Sequence, residues 1–77
     1  MNKVRRKQLS EVTSILETAK GMLEEIRDDE QDYFDNIPEN LQCSERAEAS
    51  EEAIDAMDEA IESLESAIES VNDASSV

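Results

Sequence analysis

The sequence predicts an all-α fold, an antiparallel helical hairpin with coiled-coil-like packing that dimerises into a four-helix bundle. Three features carry this expectation. Apolar residues recur at alternating spacings of 3 and 4 in both halves of the 77-residue chain, the period of a helix that packs along one stripe. The second half repeats a seven-residue template three times, as AIDAMDE, AIESLES and AIESVND from Ala53 to Asp73. The one proline, Pro38, falls between the two halves, where a hairpin must turn. A chain of this length holds one small core and hence a single domain spanning residues 1–77.

The first helix is expected over about residues 4–36. Leu9, Val12, Leu16, Ala19, Leu23 and Ile26 follow one another at spacings of 3, 4, 3, 4 and 3, which places them on one stripe. The same register continues through Glu30, Tyr33 and Ile37, so the seam turns polar towards its end. Ile15 and Met22 lie beside the stripe and widen it, as suits a bundle face more than a narrow two-stranded seam.

The connection is expected over about residues 37–44. Pro38 disfavours a helical conformation at Ile37 and removes a backbone donor. Ser44 or Ser50 then offers an N-cap for the second helix, with glutamates in a first turn that favours negative charge.

The second helix is expected over about residues 45–73, followed by a frayed tail at 74–77. Ile54, Met57, Ile61, Leu64, Ile68 and Val71 form its seam. Ala53, Ala60, Ala67 and Ala74 run alongside, as helix formers or as a flank that another helix approaches closely. Folding about Pro38 pairs residues whose numbers sum to about 80, among them Leu9 with Val71, Val12 with Ile68 and Ile26 with Ile54. The same fold brings Lys3, Arg5, Arg6 and Lys7 beside the acidic end of the second helix, whose dipole favours cations.

Composition limits the function. There are 21 acidic and 7 basic residues, a net charge of -14, no histidine, no tryptophan, one glycine and one cysteine. This opposes direct binding to nucleic acid or anionic lipid and lacks most of the catalytic and metal-binding inventory. No enzyme activity, no cofactor, no metal and no small-molecule substrate is expected. The lone Cys43 forms no internal disulfide, and no long apolar run marks a signal peptide or membrane span, so a reducing cytoplasm is the expected location. Asp28, Glu30, Asp32 and Glu39 imitate the spacing of a calcium loop, but Tyr33 stands where that loop needs glycine.

Candidate partner-binding residues fall in two groups. From Ala47 to Val77 there are ten acidic residues and no lysine or arginine. Glu48, Glu51, Glu52, Asp55, Asp58, Glu59 and Glu62 form the part of this row chosen as a partner-binding face. Like charges three or four residues apart repel by a few tenths of a kcal/mol per pair, so the row is either a solubilising face or a polyanion. A polyanion with carboxylates about 6 Å apart matches the phosphate spacing of a nucleic-acid strand and fits the basic groove of a nucleic-acid-handling protein. The second group, Tyr33, Phe34, Ile37 and Leu41, is apolar and lies at the loop end, where it closes the hairpin or forms a hot spot. The thin seam of a single hairpin is small against the cost of ordering its backbone, which points to a homodimer or a complex with a basic protein partner.

The RRKQL start, the central EEIRDDEQDYFDNIPENLQCSERAE and the following AIDAMDEAIESLESAIE together resemble small acidic proteins encoded by phages and prophages of Gram-positive bacteria. The specific part is Tyr33 to Glu45. The resemblance implies an accessory gene product that binds host or defence proteins, and it assigns no binding residue.

Overall fold

The computed structural model describes all 77 residues as two long helices and one short 3-10 turn, with no strands. Helix α1 spans Lys3–Asp35, the 3-10 turn spans Glu39–Leu41, and helix α2 spans Glu45–Ser75. The helices pack against each other as a hairpin, giving a rod of 59 × 14 × 12 Å.

Caps and turn explain the boundaries. The Asn2 side chain accepts from the Arg5 backbone N–H at 2.8 Å and starts α1. Asn36 ends it, its side chain donating to the Asp32 carbonyl at 2.7 Å. Pro38 is extended, at φ -54° and ψ 141°, and its carbonyl accepts from Leu41 N–H at 2.8 Å to close the turn. Ser44 is the N-cap of α2, its hydroxyl accepting from Ala47 N–H at 3.3 Å, and Glu45 and Glu48 stand in the first turn. Ser50, the other N-cap considered, is instead buried in the interface, where its hydroxyl donates to the Glu30 carboxylate at 2.7 Å.

Helix α2 continues past Asp73, where its end was expected, to Ser75. The last residues make hydrogen bonds at the end of the hairpin. Ser75 and Ser76 hydroxyls donate to the Asn72 carbonyl at 3.2 and 3.0 Å. The Met1 ammonium and the Arg6 guanidinium donate to the Val77 carbonyl at 3.0 and 3.4 Å. The basic start of α1 thus sits on the negative end of α2, as the dipoles favour.

The seam of α2 is the expected one. Ile54 and Ile61 are buried, and Met57, Leu64, Ile68 and Val71 are half-buried. The seam of α1 is not. Leu9, Leu16 and Leu23 are half-buried, but Val12, Ala19, Ile26 and Tyr33 are exposed, and Thr13, Lys20, Arg27 and Phe34 take their place against α2. Helix α1 is therefore rotated about its axis by about 50°, half a residue step, from the expected stripe. The cause lies across the interface: Thr13 donates to Asn72 Oδ1 at 3.4 Å, Lys20 pairs with Glu65 at 3.2 Å, and Arg27 pairs with Asp58 at 3.5 Å. The pairs Val12–Ile68, Ala19–Ile61 and Ile26–Ile54 are accordingly replaced by a polar ladder along one edge.

The antiparallel orientation is the expected one, but along the ladder the register slides by five residues, about 7.5 Å, from the expected sum of 80. The contacting residue numbers sum to 85 for the three rungs of the ladder and to 80 for Glu30 with Ser50.

Candidate functional site

The ladder fixes which side chains share a face of the hairpin. Thr13, Lys20 and Arg27 on α1 meet Asn72, Glu65 and Asp58 on α2, so one face of the rod carries these six. One residue earlier in either helix, a side chain turns about 100° and crosses to the other face. That face receives Val12, Ala19 and Ile26 from α1 and Met57, Leu64 and Val71 from α2. Four residues earlier again, it is extended outward by Ile15 and Met22 on one helix and by Ala53, Ala60 and Ala67 on the other.

Charge on α2 is segregated by the same geometry. Carboxylates occupy three adjacent seven-residue series: Glu51, Asp58 and Glu65 beside the ladder; Glu48, Asp55, Glu62 and Glu69 next to it; and Glu45, Glu52, Glu59 and Asp73 on the outer surface. The two remaining outer series are Ala49, Ala56, Ser63 and Ser70, and Ala53, Ala60, Ala67 and Ala74. Every acidic side chain of α2 thus lies on one side, and the other side is small and uncharged from Ala49 onward.

The seven carboxylates expected to bind a partner all lie in those three series. Glu48, Glu51, Glu52, Asp55, Glu59 and Glu62 are exposed, and only Asp58 is half-buried. Asp58 is also the one member of the seven with an ion pair, to Arg27. Arg27 is in turn shared: its Nε lies 3.2 Å from Asp28 without the alignment of a hydrogen bond. Six carboxylates therefore face outward with no basic neighbour from their own chain.

The loop-end group divides. Tyr33, Ile37 and Leu41 line a shallow hollow of about 470 Å³ together with Pro38, Ser44 and Arg46. Phe34 does not reach it and is half-buried at the seam position after Glu30. Cys43 is exposed beside the hollow's rim segment and unpaired.

Ile15 and Met22, read from the sequence as widening the bundle face, are joined in the structure by Val12, Ile26 and Tyr33, which were expected in the seam. Val12, Ile15, Met22, Ile26 and Tyr33 are 41, 68, 59, 55 and 43 % exposed and lie in one line along α1. The signal that reveals it is polar: Thr13, Lys20 and Arg27 recur every seven residues, as do Asp58, Glu65 and Asn72, and matching these two series selects the seam actually used.

No helix is long and apolar enough to cross a membrane. No protein-family model, curated protein or solved structure matches this chain.

Proposed function

We propose that the protein is a small acidic interaction module, of the phage-type accessory kind that its sequence resembles, which binds a basic protein partner through the carboxylate side of α2. The observation that supports this reading is the segregation of charge. A coat that serves only to keep a rod dispersed gains nothing from confinement to one side. Carboxylates about 6 Å apart on a straight helix offer a basic groove the charge spacing of a nucleic-acid strand, and a nucleic-acid-handling protein occupied in this way is inhibited.

A second reading is supported by a different observation. The exposed apolar line on α1 suits a structural module that assembles through its flat face, with the carboxylates only opposing aggregation. Salt separates the two, because ion pairs at an exposed surface are screened and apolar contacts are not. Capture from a bacterial lysate with the tagged chain at low and high salt is the test. Loss of the captured protein at high salt, and with the triple variant Glu51→Gln, Asp55→Asn, Glu62→Gln, supports the basic partner. Capture indifferent to both removes it.

A further inference from the structure

We infer that the apolar face of the hairpin seats a second copy of the same chain, with α1 of each copy lying on α2 of the other. This deepens the assembly reading and is independent of the basic partner.

Charge selects the occupant. A chain with net charge -14 meets its own copy favourably only across a surface poor in carboxylates; on this face α2's alanine and serine series carry none, and α1 adds Asp29, in line with Ile15 and Met22. Two copies joined there point their acidic sides away from each other. Area agrees with this. A rod 59 Å long and 14 Å wide has a flat footprint of about 800 Å² per copy, the size of a standard stable interface. Within it lie Val12, Ile15, Met22, Ile26 and Tyr33, each more than 40 % exposed.

Shape selects the arrangement. On this face α1 presents large side chains, Ile15, Met22 and Ile26, whereas α2 presents Ala53, Ala56, Ala60, Ser63 and Ala67. Large residues fill a groove of small ones when α1 lies on α2 of the partner, and helices approach closely over alanine. A two-fold axis parallel to the helices produces the favoured arrangement. It places the two loops at the same end and makes every neighbouring helix pair antiparallel. The hairpin's own register along the ladder then sets Met22 of one copy level with Ser63 of the other.

Sedimentation equilibrium of the unaltered chain at micromolar concentration is expected to give twice the chain mass of 8.6 kDa. Met22→Glu, at an exposed position that the hairpin itself does not need, is expected to weaken the dimer at least tenfold while circular dichroism stays helical. In a Cys43→Ser background, the double variant Met22→Cys, Ser63→Cys is expected to oxidise to a covalent dimer. A monomer at all concentrations overturns the inference and leaves the face to another protein. Covalent dimers from Ala19→Cys alone, with none from the double variant, overturn the arrangement in favour of α1 on α1 while leaving self-assembly standing.

Discussion

At the scale of single residues the hairpin is aligned by polar contacts rather than by close packing. Four residues are buried, Ala47, Ser50, Ile54 and Ile61, and no large side chain is fully buried. Apolar packing that thin tolerates sliding or rotation, because neighbouring registers bury similar area. The rungs Lys20–Glu65 and Arg27–Asp58 discriminate, since rotating α1 by one residue removes both at once. Lys20 and Glu65 are 28 and 55 % exposed, so their pairing is worth about 0.2–1 kcal/mol, modest in energy and directional in effect. Lys20→Glu, which sets two carboxylates opposite each other, is expected to lower stability. Adding Glu65→Lys is expected to restore most of the loss. Thermal melts of the two singles and the double, closed as a double-mutant cycle, measure the coupling; a double variant no better than the sum of the singles removes the rung from the account.

At the scale of elements, the two helices depend on each other unequally. Helix α1 has no acidic residue in its first turn and no basic residue in its last, the reverse of what its own dipole favours. Its basic start is compensated only by α2's terminal carbonyl, through Met1 and Arg6. It also carries Gly21 near its middle, where an added Cβ meets nothing within 4 Å. Gly21→Ala is therefore expected to stabilise the protein by about 0.5–1 kcal/mol, because alanine restricts the unfolded chain and propagates helix better. Chemical denaturation checks this, and an unchanged or lowered midpoint contradicts the open setting of that position.

The elements also show what was readable from the sequence. Helix positions, the break at Pro38, the seam of α2 and the antiparallel pairing follow from periodicity and one proline. The rotation of α1 does not, because Leu9, Leu16 and Leu23 belong equally to a stripe completed by Val12, Ala19 and Ile26 and to one completed by Thr13, Lys20 and Arg27. Hydrophobicity alone prefers the first. The partner helix decides for the second, as Asp58, Glu65 and Asn72 gain partners only there. The apolar residues that lose the contest are not wasted in the pattern. Helix α1 has an apolar surface too wide for one neighbour to cover, and the excess becomes the exposed line from Val12 to Tyr33. The acidic row was legible from its spacing, whereas the side of the rod that it occupies relative to α1 emerges only when the ladder orients α2.

At the scale of the whole molecule, a 59 Å rod only 14 × 12 Å across has no interior beyond the line where its helices touch. Whether the face carrying Ile15, Met22 and Ile26 is covered decides how its stability responds to concentration. If two chains fold and pair as one unit, dilution destabilises the native state by mass action, and each tenfold rise in concentration adds about 1.4 kcal/mol per dimer. An unfolding entropy near 2.1 cal/mol/K per residue, taken over two chains, converts this to a rise in Tm of about 4 °C. A monomer that folds alone melts at the same temperature at every concentration. Salt acts on the other side of the rod, by screening the repulsion among α2's carboxylates, and is expected to raise Tm at every concentration without altering the slope. Melts followed by circular dichroism over a hundredfold range of concentration, at low and moderate salt, therefore resolve the two contributions. A Tm independent of concentration requires that the rod be stable with Ile15, Met22 and Ile26 in water, and would place its stability in the polar ladder and the half-buried seam alone.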